Sequence, residues 1–320
     1  AILTFGCKSS TNPTIPNVSG KKGEVMIVMD DSLWNDSLGQ MLCDTLTQPH
    51  PALPQPEPMF DIYQVEKTEF SKYMQSHRNI IVAETGPQHE GPVFSILKDR
   101  WAKPQIIINM FAPTKKSWIL QFKLKEEQLV SSLKHKERKR MMQYYRNNMQ
   151  GDVVDSIKQN HHIKLAIPDG FYLNVNKDNF SWIWYEDPDI LKGLIIYTYD
   201  YVDPNTFTKK FLVNKRNEVL RKNVPGRVEG SYMTTESKYE PDMYEITYKD
   251  RYFIQMRGLW KMENGDFMGG PFVSMTTLDK KRNKIITVEG YVYAPNKKKR
   301  NLVWEMEAIL YTLKVLEDHE

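Results

Sequence analysis

Cysteine is nearly absent from this 320-residue chain, in which only Cys7 and Cys43 occur. Cys7 lies in a polar N-terminal segment and Cys43 lies on an apolar helical stripe, so the sequence predicts no intramolecular disulfide. Stability must then come from hydrophobic cores, for which 40% hydrophobic and 12% aromatic residues are sufficient. The chain is therefore expected to be globular, with one large domain or two ordinary ones.

Long hydrophobic runs and an excess of one charge are lacking as well. The longest apolar runs, such as residues 25–29 and 105–111, are far shorter than the roughly 20 residues that a membrane-spanning helix needs. The formal net charge is only +4, which favours neither nucleic acid nor an acidic substrate. Residues 134–146 combine basic and aromatic side chains as nucleic-acid binders do. We interpret them as a solvated helix face, with an anionic membrane surface as the alternative partner and no nucleic acid.

Recognisable catalytic and metal-binding motifs are also absent from the sequence. It contains no nucleophile elbow, phosphate-binding glycine loop or dinucleotide fingerprint. The glycine-rich residues 264–270 lie between two predicted strands, so we interpret them as a hairpin turn. The histidines show no metal-ligand spacing, since the adjacent His161 and His162 would point to opposite faces of a strand. We predict no cofactor and no metal, and the sequence leaves enzymatic activity uncertain.

The N-terminal segment carries the clearest functional signal. Residues 1–6 are apolar and end in a small residue directly before Cys7, as a bacterial lipoprotein signal does before its lipidation site. Residues 8–23 are rich in Ser, Thr, Asn, Pro, Gly and Lys, which is typical of a flexible spacer. The sequence therefore predicts a lipid on Cys7 that anchors the chain to a membrane of the cell envelope, facing the periplasm. An ordinary cysteine in a disordered tail is the alternative, because no initiating Met or basic segment precedes it.

Hydrophobic periodicity divides the rest of the chain into two parts. Residues 24–151 alternate predicted strands and helices and end with a long helix over residues 117–149. Residues 152–320 instead show strands separated by turn signals such as Pro168-Asp169-Gly170, which are typical of antiparallel strands. We predict an α+β fold, in which a signal remnant and spacer (1–23) precede an α/β module and then an antiparallel sheet covered by helices.

Local signals set several element boundaries. Asp31 or Ser32 is the expected N-cap of the first helix, and residues 93–101 are expected to form a helix. Gly151 is the expected end of the long helix. Five prolines between residues 48 and 59 exclude a helix or an interior strand, so we expect an extended surface loop there.

Five charged residues form a candidate ligand or partner cleft. Glu57 lies in the first proline-containing loop, Arg227 and Glu229 lie in a second, and Arg257 and Glu289 occupy strand interiors. Because an unpaired buried charge is costly, we predict that Arg257 and Glu289 lie on neighbouring strands and form a salt bridge. A ligand-binding floor is the alternative. If these side chains lined a cleft between the two halves, the chain would be an enzyme of uncharacterised type.

Several stretches together resemble a known family. They are LPQPEPMFD, HRNII, GSYM, RGLW, GGPFVS and YAPNKKKRN, at residues 53–61, 77–81, 230–233, 257–260, 269–274 and 293–301. With the cysteine at position 7, this combination resembles a Bacteroidetes family of lipoproteins carried as a domain of unknown function. The resemblance implies an exported, lipid-anchored protein without an assigned activity. We therefore expect a non-enzymatic binding or envelope-assembly protein, with an envelope protein as its partner.

The second half also resembles a known fold. Residues 167–171 enter a predicted hairpin, and a strand, a proline and a helix close the chain. This order of elements is similar to the sandwich fold of the photosystem oxygen-evolving subunit and its nuclear-import relatives. Such a likeness implies an architecture and gives no function.

Overall fold

The structure, a computed structural model, describes residues 15–316 and forms two compact units. Within the described residues, unit 1 comprises residues 15–48 and 60–136, and unit 2 comprises residues 49–59 and 137–316. The predicted lipidation site, Cys7, lies outside the described residues. The fold is α+β, as predicted, while the predicted domain boundaries remain a prediction.

Unit 1 contains both strands and helices, and strands predominate in unit 2. The strands are β1 (Glu24–Val28), β2 (Asp61–Val65), β3 (Asn79–Thr85), β4 (Val93–Lys98), β5 (Ile106–Ala112), β6 (Ile163–Lys164), β7 (Tyr172–Lys177), β8 (Phe180–Glu186), β9 (Leu191–Asp200), β10 (Tyr232–Thr235), β11 (Asp242–Tyr248), β12 (Arg251–Glu263), β13 (Gly269–Asp279), β14 (Lys284–Tyr293) and β15 (Lys314–Val315). The α-helices are α1 (Asp31–Trp34), α2 (Ser37–Leu46), α3 (Lys115–Asn147), α4 (Gly151–His161), α5 (Lys209–Asn223) and α6 (Arg300–Leu310).

The sheet of unit 1 has the order β2-β1-β3-β5-β4. Its first four strands are parallel, and the apolar runs of β1, β3 and β5 fit the buried middle of such a sheet, whereas the edge strand β2 is largely exposed or half-buried. The predicted helix over residues 93–101 is wrong, because Val93–Lys98 forms the antiparallel edge strand β4 beside β5. Pairing with β5 gives the backbone N–H and C=O groups of this segment hydrogen-bond partners. This long-range contact overrides the local pattern that predicted a helix.

Two predictions of helix boundaries are also wrong. Asp36, rather than Asp31 or Ser32, caps a helix, since its carboxylate accepts the N–H of Ser37 at 2.6 Å. The helix that begins at Asp31 lasts for only one turn, and the Asn35 side chain bonds back to the carbonyl of Asp31 at 2.9 Å. Gly151 likewise begins α4 instead of ending α3.

The main sheet of unit 2 is antiparallel throughout, with the order β10-β12-β13-β14-β9-β8-β7. The 13-residue strand β12 also pairs with β11 at its other end. Helices α5 and α6 cover opposite faces. Glu289 of β14 contacts Arg216 of α5, whereas a Cβ on the next residue, Gly290, would lie 2.7 Å from Met306 of α6. The predicted antiparallel sheet covered by helices is confirmed.

Residues 49–59 form the expected proline-containing loop. Pro49 and Pro58 pair as an isolated bridge, and the N–H of His50 donates to the carbonyl of Glu57 at 2.8 Å. The backbone is thus closed by its own hydrogen bonds, while the side chains of His50 and Glu57 are buried. The loop therefore positions a carboxylate inside unit 2.

Candidate functional site

Arg257 and Glu289 do not pair, so the predicted salt bridge between them is wrong. Strand β13 separates their strands: Arg257 lies opposite Val273, whereas Glu289 lies opposite Ser274. Neighbouring residues of one strand point to opposite faces, so the two charged side chains lie on different sides of the sheet. Each has another partner, supplied by the helix on its own face.

On the α5 face, Glu289 pairs with Arg216. Both side chains are fully buried, and Nε and Nη2 of Arg216 donate to the two carboxylate oxygens at 2.7 Å each. Nη1 of Arg216 also donates to Thr235 at 2.8 Å, and the guanidinium lies 3.8 Å from the ring centroid of Phe272. This bidentate geometry uses the whole guanidinium fork, which makes the pair a structural link between α5 and the sheet.

On the α6 face, Arg257 pairs with Glu307. The distance from Nη2 to the carboxylate is 2.7 Å, and Arg138 approaches the second oxygen of Glu307 at 3.2 Å. Burial alone would lower the pKa of Arg257, but the facing carboxylate outweighs it and raises that pKa above its usual value. Two buried Arg–Glu pairs thus fix the two helices to opposite faces of one sheet.

Glu57 caps the N-terminus of α6. Its carboxylate oxygens accept the N–H groups of Lys299 at 2.6 Å and Arg300 at 3.0 Å. These two groups have no partner within the helix, and a negative charge at this end is favoured by the helix dipole. Glu57 therefore has a structural role that follows from its contacts.

Arg227 and Glu229 lie on the surface. Both side chains are exposed in the segment between α5 and β10. Arg227 lines the mouth of a cavity, and Glu229 is not among the lining residues of that cavity. Of the five sequence-predicted site residues, Arg227 lines this cavity.

The cavity has a volume of about 330 Å³ and lies on the α5 face of the sheet in unit 2. Its walls carry three tryptophans, a tyrosine and three methionines: Trp182, Trp184, Trp260, Tyr291, Met233, Met262 and Met268. Charged side chains of both signs line it as well, namely Glu186, Arg227 and Asp266, all of them exposed. A volume of this size lies at the lower end of the range of small-molecule sites.

The cavity exists because α5 covers only part of this face. The helix ends at Asn223, and Pro225, which cannot continue it, follows two residues later. Beyond that point the chain segment Val224–Arg227 and residues of the β12–β13 hairpin line the cavity. At the tip of the hairpin, Phe267 is fully exposed, at 109% of its reference area. An apolar hollow with an exposed aromatic side chain beside it is suited to bind an apolar group.

Two of the three tryptophans in the walls are held by hydrogen bonds from their indole N–H groups. Nε1 of Trp182 donates to the hydroxyl of Tyr291 at 2.8 Å, and Nε1 of Trp260 donates to the carbonyl of Val292 at 3.2 Å. Burial raises the pKa of Tyr291, so its hydroxyl stays protonated. The ring of Tyr291 lies over Gly193 on the neighbouring strand, where a Cβ would be only 2.1 Å away. The hollow is therefore preorganised and presents mainly ring surfaces.

Sequence reasoning missed this cavity, although part of the signal was present. Trp182 and Trp184 are two residues apart on a predicted strand, which places both indoles on one face. Their meeting with Trp260 and Tyr291 depends on the strand order and is not encoded locally.

The helix segment that sequence analysis interpreted as solvated is only partly so. Glu137 and Arg140 of α3 are buried, and Nη1 of Arg140 donates to Glu137 at 2.9 Å. Leu133 and Met141 on the same helix are buried as well. The basic composition of this segment therefore reflects internal packing in addition to surface charge.

Two other features, a membrane-spanning helix and a metal-binding cluster, were sought among the described residues. Among residues 15–316, no helix combines the length and hydrophobicity that a membrane-spanning segment requires. Within the same part of the chain, no three His, Cys, Asp or Glu side chains come together in a way that could hold a metal ion.

The fold and cavity describe an α+β protein whose antiparallel sheet carries an aromatic hollow. The family model described as "Domain of unknown function (DUF4837)" matches residues 150–312, half of the chain, and the chain belongs to this family. A second family model, "Domain of unknown function (DUF8532)", matches residues 18–146. No curated protein matches the chain in sequence. The resemblance to a family of unknown function is thus confirmed, while its lipoprotein character and its Bacteroidetes origin remain predictions.

Three solved structures are similar to part of the chain. The Ran-binding protein Mog1p of Saccharomyces cerevisiae shows 10% identity over 49% of this chain and 92% of its own, with a TM-score of 0.33. A mutant of Mog1 shows 12% identity over 49% of this chain and 93% of its own, with a TM-score of 0.30. LpqN of Mycobacterium tuberculosis, involved in cell envelope biogenesis, shows 14% identity over 53% of this chain and 98% of its own, with a TM-score of 0.29. Likenesses this low carry no inference about function.

Proposed function

We propose that this chain is a lipid-anchored protein of the bacterial cell envelope whose C-terminal unit binds a small ligand without transforming it. The observation that carries the binding role is the aromatic cavity. Its ligand has an apolar or aromatic body that lies between the tryptophan rings and a polar end that lies near Arg227, Glu186 and Asp266.

The contacts of the buried carboxylates support binding over catalysis. Glu289 and Glu307 each face an arginine at 2.7 Å, and Glu57 accepts two backbone N–H groups. A carboxylate whose oxygens are held by these fixed donors is not available to a substrate, whereas general acid–base catalysis needs a group within hydrogen-bond reach of the proton that it transfers. The cavity walls instead offer ring faces and thioethers, which bind through apolar contact.

The binding role is tested with tryptophan fluorescence and an aromatic probe, 1-anilinonaphthalene-8-sulfonate. Three of the seven tryptophans line the cavity, so binding there should quench the intrinsic emission of the full chain. Met268→Trp places a larger side chain on a lining position and should weaken binding by roughly tenfold or more.

Met243→Trp is the matched control. Met243 is also partly buried and packs on the same core, but it does not line the cavity. Its affinity for the probe should equal that of the wild type, and thermal unfolding of both variants checks that they fold. Equal probe affinity in two folded variants would contradict the proposal.

The anchor is tested on the complete precursor expressed with a labelled fatty acid. Label should appear on the wild-type protein and be absent from Cys7→Ser, which should leave the membrane fraction. Lys8-Ser9-Ser10 lacks the acidic cluster of a surface-export signal, so protease added to intact cells should leave the protein whole. Membrane association of the unlabelled Cys7→Ser variant would refute the anchor and with it the envelope location.

A further inference from the structure

The ring geometry of the aromatic cavity restricts the shape of the group that it can hold. The ring centroids of Trp182 and Trp184 lie 5.0 Å apart with the planes at 71°, and those of Trp260 and Tyr291 lie 5.4 Å apart at 75°. Each pair of wall residues therefore forms a corner of nearly perpendicular rings. A flat ligand stacks best between parallel rings, whereas a corner contacts a compact, three-dimensional group on two sides.

The aromatic and methionine walls offer few hydrogen-bonding groups to such a ligand. The indole N–H groups of Trp182 and Trp260 already donate to the hydroxyl of Tyr291 at 2.8 Å and to the carbonyl of Val292 at 3.2 Å. The methionines contribute thioethers, which are weak acceptors. A group with N–H or O–H donors would lose its hydrogen bonds to water on entering, which is costly. The walls therefore favour a group that carries no hydrogen-bond donor.

The charges at the mouth of the cavity favour a cation. Among the described residues that line it, Glu186 and Asp266 are carboxylates and Arg227 is the one guanidinium, so negative charges exceed positive charges by one. The rings act in the same direction, because the face of an aromatic ring is electron-rich and attracts a cation that lies within about 6 Å of the ring centroid. A cation in the cavity is thus attracted both by its walls and by its mouth.

We propose that this cavity binds a quaternary ammonium group, a nitrogen cation whose surface consists of methyl or methylene groups. Such a cation has no N–H donor, so its burial among rings and thioethers leaves no hydrogen bond unmade. Its alkyl groups fill the corners of the cavity, while the ring faces and the carboxylates of Glu186 and Asp266 attract its charge. Arg227, at the same mouth, would pair with an anionic arm of the ligand.

This inference rests on the ligand-binding role proposed above and names the class of ligand. A free choline-like compound and the headgroup of a phosphatidylcholine lipid both have this chemistry.

Calorimetric titration of the full chain compares choline with 3,3-dimethyl-1-butanol, which has the same shape but carries carbon in place of the charged nitrogen. Because the two probes bury the same apolar surface, the difference between their affinities reports the charge. Choline should bind roughly 5- to 30-fold more tightly, the range that cation–π contacts supply. Added salt should weaken the binding of choline and leave that of the neutral probe unchanged.

Two variants test the residues that would attract the charge. Trp184→Leu keeps an apolar wall but removes a ring face, so it should reduce the preference for choline over the neutral probe by roughly fivefold. Asp266→Asn should weaken the binding of choline alone, by roughly two- to fivefold. Its matched control is Asp178→Asn, since Asp178 is also an exposed aspartate in a hairpin, between β7 and β8, and does not line the cavity. Thermal unfolding checks that all three variants fold.

Flotation separates the two sources of the ligand. The full chain is used as Cys7→Ser, so that the proposed lipid does not itself cause flotation. Flotation with phosphatidylcholine vesicles but not with phosphatidylglycerol vesicles indicates a lipid headgroup, and binding of choline without flotation indicates a free compound. Either result supports the inference.

The inference is overturned if 3,3-dimethyl-1-butanol binds as tightly as choline, if Asp266→Asn binds choline like Asp178→Asn, or if a folded Trp184→Leu keeps the full preference. The binding role itself would still stand in these cases, provided that 1-anilinonaphthalene-8-sulfonate binds and that Met268→Trp weakens its binding. Absence of binding by all three probes would contradict both proposals.

Discussion

The buried pair between Arg216 and Glu289 permits a quantitative test of the architecture of unit 2. Arg216→Met removes two charge-assisted hydrogen bonds to Glu289, one to Thr235 and the contact with the ring of Phe272. Each charge-assisted bond is worth about 1.5–3 kcal/mol, and breaking a buried pair typically costs about 3–5 kcal/mol because one charge is left unpaired. We expect a loss of about 4 kcal/mol in the free energy of unfolding.

The assay is a double-mutant cycle by urea or guanidinium unfolding. Glu289→Leu alone should be similarly destabilising, because it leaves the Arg216 guanidinium buried and uncompensated. The double variant, Arg216→Met with Glu289→Leu, should recover much of the loss, giving a coupling energy of about 2–3 kcal/mol.

The control is a second double-mutant cycle, in which Arg257 is mutated in place of Arg216. Arg257 lies on the other face and pairs with Glu307 at 2.7 Å, so Arg257→Met and Glu289→Leu should be additive within about 0.5 kcal/mol. Strong coupling between Arg257 and Glu289, or additivity between Arg216 and Glu289, would refute the assignment of the pairs and of the two faces.

Three further predictions concern single positions, and a fourth concerns the domain boundary. Glu57→Ala removes the acceptor of two N–H groups at the start of α6 and should lower the unfolding free energy by about 2 kcal/mol, with a smaller loss for Glu57→Gln. Burial lowers the pKa of His161 from 6.5 to about 4; the unfolded chain therefore binds the extra proton between these values. The contribution of His161 to the free energy of unfolding should be fully present above pH 6.5 and should fall by about 3 kcal/mol toward pH 4. The variant His161→Gln, unfolded at both ends of this pH range, should lack this loss. Gly193→Ala brings a Cβ against the ring of Tyr291 and should lower both stability, by roughly 1–3 kcal/mol, and probe affinity in fluorescence titrations. Limited proteolysis should yield a stable fragment that starts near Asp152, whereas cuts confined to the N-terminal spacer would indicate one fused unit.

The strands show how much of the fold the sequence encodes. The sequence predicts strands separated by turn signals in residues 152–320, and the long strands β12, β13 and β14 lie there, because strand periodicity and turn residues are local signals. Residues 93–101 failed the same reasoning. Whether these residues form a strand depends on hydrogen bonds to the edge of β5, and no local pattern contains that information.

The charged residues show what the sequence left open. Burial of Arg257 and Glu289 could be inferred from their positions inside apolar strands, and both are buried. Their partners could not, since Arg216 and Glu307 lie on helices whose placement is set by the strand order and by the helices' own apolar faces. Position within a strand does not tell which strands are neighbours or which face of the sheet a side chain occupies, so the predicted pair was wrong.

The sequence by itself determined the α+β character, the strand alternation and the expectation of a tethered chain, because periodicity, turn residues and composition act over a few neighbouring positions. The tertiary structure alone decided where functional chemistry could lie. Trp182 and Trp260 line one cavity, and Glu186 and Asp266 lie at its mouth. These contacts join residues that are far apart in the chain. Their energies depend on distances that are set only when the strands have paired in their final order.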